Sequence, residues 1–518
     1  MSSSGRVVTT LAGNFGRLWK RGHENFAPDS RRILSVQGKG ATAYLQGLVT
    51  SDLLSPPISP REEKEDPNAG IEIETSAGSE NTNGSSEIET PPPGVDFSDH
   101  LRATCFLDNK GRIITDSLLW KVDENQYYID VCADMADPLL AHMKQFILRR
   151  TKVKVKDESA KSGMASHVIF GTLNARNTPN GFLAGVDPRH PSLGTRVLSL
   201  DLPKGKEFPR MMSKQFPNAP GTYNLIRKLA GVAEGSELKG KVAAESNQEF
   251  LNAVSFQKGC YLGQELTARV HFTGAVRKRI MPLMMTNVNM QCPRPWLIAS
   301  QVQREQYQQQ QRQGEQQAIG IEEQLSPTTT SDDEKSLPSS DVTQLPPLPR
   351  LSPSVAGSMI ASMSGSPATV PPDEEEDKEN NNSNNATNGT NKENEELEAQ
   401  TEALFEELQS FKVGDKIYDT KDGKAIGQIV ALPEEGTNVL LAQMRLDRVG
   451  LLEPPRKKTR DGDKQIGDSI DDDDGPTWKQ TNKVSIGDAN GANPLRFLPY
   501  LPLWWPTIDR ANGKAKEE

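Results

Sequence analysis

The residues best suited to chemistry sit together in one stretch, Ser255-Phe256-Gln257-Lys258-Gly259-Cys260-Tyr261-Leu262-Gly263-Gln264-Glu265-Leu266-Thr267-Ala268-Arg269. Cys260 lies two residues from Lys258, and a nearby ammonium favours a thiolate. Gly259 and Gly263 bracket the thiol; glycines permit tight turns and let backbone N–H groups come close to an anion. Gly263 precedes a predicted helix starting at Gln264, whose dipole would further favour a thiolate at its N-terminus. Glu265 falls in the first turn and Arg269 four residues on, the spacing of an i,i+4 ion pair. The same spacing also suits a buried structural cysteine in a turn, so the residues alone leave both readings open.

Little else competes for that role. The chain has four cysteines, Cys105, Cys132, Cys260 and Cys292, with no Cys-x-x-Cys pair. So few in 518 residues do not make a disulfide framework, and a reducing compartment is expected. Cys105 and Cys132 fall in strand-like runs and read as core residues. His271, a lone histidine beside Arg269, reads as structural.

Positioning the Cys260 stretch requires ordered blocks on either side. Ile33, Leu34 and Val36 suggest a strand, and residues 38–53 a helix with Tyr44, Leu48 and Val49 on one face. Thr104-Cys105-Phe106-Leu107 reads as a strand and Asp108-Asn109-Lys110-Gly111 as a turn. Residues 113–120 and 126–131 read as the strands that follow. Asp137 is placed to cap a helix with Pro138 at its first position. Residues 151–156 alternate as a strand does. Residues 222–230 read as a helix ending at Gly231. Lys416-Ile417-Tyr418, an Asp422-Gly423 turn and residues 426–431 form a predicted hairpin, and 439–446 continues a small β-barrel.

Composition sets the outer bounds. Only 35% of residues are hydrophobic and 25% are charged. The polar excess falls at 55–97, 303–403 and 453–482, runs too polar to offset chain entropy and therefore expected to be disordered insertions. Roughly 340 residues remain, enough for two or three packed domains. The net charge of −10 argues against a nucleic-acid-binding surface. No apolar run reaches the ~18 residues needed to cross a bilayer, so no membrane span is expected. Residues 1–23 carry Arg6, Arg17, Lys20 and Arg21 and no acid. With frequent Ser and Thr, and Leu11, Phe15, Leu18 and Trp19 at helical spacing, they read as a mitochondrial transit peptide, the alternative being a frayed basic tail. A basic run at 454–460 reads as a solvated loop rather than a nuclear import patch.

Lys258-Gly259-Cys260-Tyr261-Leu262-Gly263-Gln264-Glu265 resembles the Lys-Gly-Cys-Tyr-x-Gly-Gln-Glu signature of the YgfZ-type branch of the T-protein (aminomethyltransferase) family. The likeness extends outward to Gly231-Val232-Ala233-Glu234-Gly235, Asp187-Pro188-Arg189, Gly194-x-Arg196 and Leu45-Gln46-Gly47-Leu48-Val49-Thr50-Ser51-Asp52. Gly274-x-x-Arg277-Lys278-Arg279 and Trp504-Trp505-Pro506 resemble the mitochondrial members. The resemblance implies an α+β fold, three domains in a ring around a folate-sized cavity, ending in a C-terminal β-barrel. It places the N-terminal and central domains at 31–302 and the barrel at 411–506. It further implies a mitochondrial-matrix role late in [4Fe–4S] assembly, beside A-type carrier proteins, for clients such as lipoate synthase and aconitase. Cys260, Lys258 and Glu265 are then the expected working residues. Asp116, Tyr261, Gln264 and Arg269 are the expected tetrahydrofolate contacts. Four scattered cysteines do not make a self-contained cluster site, so Cys260 is expected as a ligand to an iron–sulfur cluster shared with a partner. T-proteins carry an Asp-Asp pair where this chain has Thr115-Asp116, which weakens the alternative of one-carbon (aminomethyl) transfer. A non-catalytic docking protein with a structural Cys260 is the third reading.

Overall fold

The computed structural model describes residues 22–55, 100–159, 163–170, 181–212, 218, 220–287, 350–351, 411–419, 423–434, 437–452, 484–486, 495–502 and 504–516. Residues 1–21 of the expected transit peptide, Cys292, the basic run at 454–460 and the insertions, save Ser55 and residues 350–351, lie outside them; Gly22 and His23, expected in that peptide, are buried and open the first strand, where they pair with Phe170 and Ile169.

The first two strands part company. β1 (Gly22–Asn25) joins a central sheet, whereas β2 (Arg31–Gln37) joins an N-terminal one. The N-terminal sheet is antiparallel, with β3 (Leu101–Leu107), β4 (Ile113–Asp123), β5 (Gln126–Cys132) and β6 (Lys154–Asp157) in the order β3-β4-β5-β2-β6. Every residue of β3 is buried, which its apolar and β-branched run requires of a strand covered on both faces. The β3–β4 turn forms as its residues predict. Asp108 Oδ1 accepts from the Lys110 and Arg112 N–H groups, and Gly111 takes φ +76°.

Two helices cover this sheet, and each departs from expectation. α1 runs only over Ala41–Gln46, not to residue 53. Beyond Gly47 the chain leaves the helix because its N–H groups go elsewhere: Thr50 N–H donates to the Cys105 carbonyl and Leu53 N–H to Gln46 Oε1. α2 (Ala133–Gln145) begins a full turn before Asp137, so Asp137 is not its cap and Pro138 lies inside. Burying Met135 and Ala136 with Leu139 and Met143 outweighs the proline's missing N–H. Asp137 instead pairs with Arg32. The expected strand at 151–156 likewise shifts to 154–157, because Arg149–Thr151 close a short 3-10 turn.

The central sheet, order β1-β7-β9-β8, adds β7 (Ala165–Phe170), β8 (Phe182–Val186) and β9 (Thr195–Ser199). α3 (Leu202–Met212) packs on it, with Phe208 stacked on His167 at 4.1 Å between centroids. α4 (Thr222–Leu229) and α5 (Gln264–Phe272) follow, and Gly231 at φ +71° lies just past α4 as expected.

The C-terminal sheet takes β10 (Lys278–Asn287) from far upstream. β11 (Arg350–Leu351) pairs instead, in parallel, with β17 (Leu501–Pro502). β12 (Lys416–Asp419), β13 (Ala425–Ala431), β14 (Val439–Arg445), β15 (Val484–Ile486) and β16 (Leu495–Pro499) complete the order β15-β12-β13-β14-β10-β16. The two end strands approach within 8 Å Cα to Cα, so the sheet curls as a barrel does. Because β10 pairs with both β14 and β16, residues 278–287 belong with this sheet, upstream of the break expected at 302. One apolar core joins barrel and central sheet, holding Phe26, Val168 and Tyr223 with Met281, Leu440 and Phe497. Trp504 Nε1 donates to the Ala230 carbonyl across that junction. The fold is α+β, as expected.

Candidate functional site

Cys260 is exposed, and among the described residues none beyond its chain neighbours has an atom within 4 Å of where a Cβ on Gly259 would stand. Gly263, at φ +78°, is the N-cap of α5. A Cβ there would stand 2.5 Å from the Asp108 carbonyl oxygen and 3.0 Å from Gly111 Cα. A Cβ on Gly111 would in turn stand 2.7 Å from the Gly263 carbonyl. The loop therefore docks backbone to backbone on the β3–β4 turn, which glycine alone allows at both positions.

On its other side the loop lies along residues 46–51. Ser255 N–H donates to the Thr50 carbonyl and Leu262 N–H to that of Gly47. Between them Lys258 Nζ donates to the carbonyls of Gln46, Val49 and Ser51 at 2.8, 2.6 and 2.9 Å. Lys258 is buried; burial pushes its pKa down to about 8, with Asp52 pulling the other way. All three ammonium protons are engaged. No ammonium proton is left to hydrogen-bond the Cys260 sulfur. Glu265 and Arg269 are both exposed, and among the described residues no ion pair joins them. Tyr261 is buried with Cys105 and Leu107, its pKa pushed up to about 12 by burial, so it anchors the loop in the core. Cys105 is buried and its thiol donates to Gln248 Oε1, and burial pushes its pKa up. The His271 and Phe256 rings stack with centroids 3.5 Å apart. No metal-binding group of His, Cys, Asp or Glu is found among the described residues.

A second assembly lies where the N-terminal and central sheets meet. Glu234 accepts from Arg31 at 2.9 Å, and also from Arg189 and from Tyr223 Oη. Asp187 accepts from Arg189 at 2.8 Å and Arg196 at 3.1 Å, while Asp130 holds Arg31 and Ser166. All are buried. Burial alone would raise Glu234, yet the guanidinium groups of Arg189, Arg31, Arg227 and Arg196 hold its carboxyl well below the usual range. Asp116 belongs to this cluster. Its Oδ1 accepts from Gly235 N–H at 2.8 Å, and its Oδ2 lies 3.6 Å from Arg189. Burial, then the charge of Glu234, raise its pKa to about 6. Thr115, in place of a second carboxylate, is buried and donates to the Asp116 carbonyl.

The structure thus divides the expected site residues. Cys260, Glu265 and Arg269 face outward, with Gln264 half-buried at the start of α5; Asp116 lies in the ion cluster. Arg31, Asp130 and Tyr223 went unforeseen, although Tyr223 and Arg31 stand close in sequence to segments already singled out. The quoted motifs at 187–189, 194–196 and 231–235 all supply members of this cluster.

No protein-family model matches the chain. Curated relatives do. The chain is 26% identical over 285 residues to the mitochondrial iron–sulfur cluster assembly factor IBA57 homologue of Aspergillus oryzae, covering 49% of this chain and 56% of that one. It is 30% identical over 267 residues to the homologue of Pyricularia oryzae, with the same coverage. For that of Dictyostelium discoideum the figures are 30% over 214 residues, 35% of this chain and 52% of the relative. The chain is similar in sequence to these curated IBA57 homologues. It spans a little over half the length of these IBA57 relatives. Among solved structures, the glycine cleavage system aminomethyltransferase T of Bartonella henselae matches with a TM-score of 0.38 and 10% identity, over 53% of this chain and 70% of that one.

Proposed function

We propose that the chain is a mitochondrial-matrix factor for late-stage [4Fe–4S] cluster assembly or repair, with Cys260 as its working thiol. The observation that carries this reading is the contrast among the cysteines. Cys260 is exposed beside an open Gly259, whereas Cys105 is sealed in the core and Cys132 lies against the ion cluster. A presented thiol can complete a cluster held jointly with a second protein, and an A-type carrier is the partner this reading names. The IBA57 relatives, named as mitochondrial assembly factors, support the compartment and the process. Lipoate synthase and aconitase are the expected clients.

Tetrahydrofolate fits the ion cluster better than the outer face of α5. Asp116 Oδ2 has only a long contact to Arg189, and Arg196 Nη1 has no hydrogen-bond partner, leaving an acceptor and a donor for a pterin ring. Bound folate would supply a one-carbon carrier. The single carboxylate left beside Thr115 argues against aminomethyl transfer as the main role.

The test is to purify the chain with an A-type carrier and record the visible spectrum. A bridging iron–sulfur chromophore is expected with the wild type and not with Cys260→Ser, whose melting temperature should be unchanged. If Cys260→Ser forms the chromophore and rescues lipoate-dependent growth as well as the wild type does, the thiol is structural and the reading is wrong.

A further inference from the structure

We infer that Lys258 is a positioning residue for Cys260: its ammonium clips the thiol loop onto the carbonyl-lined turn at 46–51 and does not act on the sulfur. This rests on the reading that Cys260 is the working thiol.

The geometry is that of a tripod. An ammonium has three N–H donors and no acceptor, and here each donor has a carbonyl from one short turn. The Tyr261 ring flanks the ammonium, its centroid 4.8 Å from Nζ. Backbone bonds stand on both sides of the tripod, Ser255 to Thr50 and Leu262 to Gly47. Residues 255–262 are thereby laid along 46–51, with Lys258 turned inward and Cys260 outward.

The acceptors are available because α1 stops at Gln46. Had the helix run on to 53, the Gln46 carbonyl would accept from Thr50 N–H and that of Val49 from Leu53 N–H. Those N–H groups bond to the Cys105 carbonyl and to Gln46 Oε1 instead. The unwound turn and the lysine are thus two halves of one device, although they lie more than 200 residues apart in sequence.

Lys258→Met removes the charge and the donors. Lys258→Arg keeps the charge but offers a planar fork that cannot converge on three carbonyls as a tetrahedral ammonium does. In each variant three readouts apply: hydrogen exchange at the Ser255 and Leu262 amides, the pH profile of Cys260 alkylation by iodoacetamide, and support of [4Fe–4S] enzymes. Exchange at both amides should accelerate together, by about tenfold or more. The midpoint of the alkylation profile should stay put, and cluster support should fall even in Lys258→Arg. The inference is overturned if Lys258→Arg matches wild type in exchange and in cluster support. It is equally overturned if Lys258→Met moves the alkylation midpoint while both amides keep their protection. Should Lys258→Met fail to fold, Lys258→Arg decides alone, since it leaves a cation at the site. Failure of the function reading is separate: Cys260→Ser would then support clusters as wild type does, with the exchange result unaffected.

Discussion

Asp116→Asn should make the protein more stable, and more so at neutral than at acid pH. Asp116 is buried, and its folded pKa is raised from 3.8 to about 6. Below pH 3.8 the carboxyl is neutral in the folded and unfolded chains, so nothing is lost. Between there and about pH 6 the unfolded chain ionises first and stability declines; above pH 6 the whole cost is present. A shift of about two units corresponds to about 3 kcal/mol at pH 7.5, falling to about 1 kcal/mol at pH 4.5. Asparagine relieves the charge and keeps an oxygen for the Gly235 N–H, the bond that Asp116 Oδ1 makes at 2.8 Å. Its amide would face Arg189 across the present 3.6 Å contact, a donor against a donor, so about 3 kcal/mol is an upper figure. Urea unfolding at pH 7.5 and 4.5 measures the difference. If Asp116→Asn is destabilised equally at both values, the carboxylate is a net-favourable partner of Arg189 and the argument from burial is wrong.

Gly263→Ala should cost about 2 kcal/mol or more, because its Cβ would meet the Asp108 carbonyl at 2.5 Å on a backbone at φ +78°; thermal melting checks this. Burial, with the charge of His23 adding to it, lowers the pKa of His167 to about 3. Its contribution to stability should therefore be full above pH 6.5 and fall away as pH drops toward 3, which urea titrations across that window would record. Iodoacetamide should label Cys260 first and Cys105 last among the described cysteines, as peptide mapping would show. Tetrahydrofolate at millimolar concentration should raise the melting temperature of wild type by mass action and leave Asp116→Asn unmoved.

What was legible in the sequence is what local chemistry decides. Gly263 at the start of α5, the Asp108–Gly111 turn and the end of α4 at Gly231 each follow from residues a few positions apart. The misses depend on distant partners. The pattern at 38–53 is helical, yet carbonyls from that segment are taken by Lys258, more than 200 residues on. Asp137 has the chemistry of a cap, but the buried face of α2 demanded an earlier start. The ion cluster draws on β2, β4, β5, β9 and the loops after β8 and α4, and buried charges found by such long-range pairing leave no periodicity to read. Lys258 directs its donors to the carbonyls of Gln46, Val49 and Ser51, which the sequence does not reveal, because two residues of spacing say nothing about where a long side chain points.

The pairing of β10 with β14 also sets a timetable for folding. Lys278 faces Arg445, so 445 − 278 = 167 residues must be made before the register can close. Until then the apolar run Ile280-Met281-Pro282-Leu283-Met284-Met285 has neither of its neighbouring strands. The hairpin of β12 and β13 closes over a few residues and with β14 can form a platform, onto which β10 must then be added from behind. Proline at position 282 withholds one donor from an otherwise open edge, the kind of interruption that hinders premature pairing with another chain.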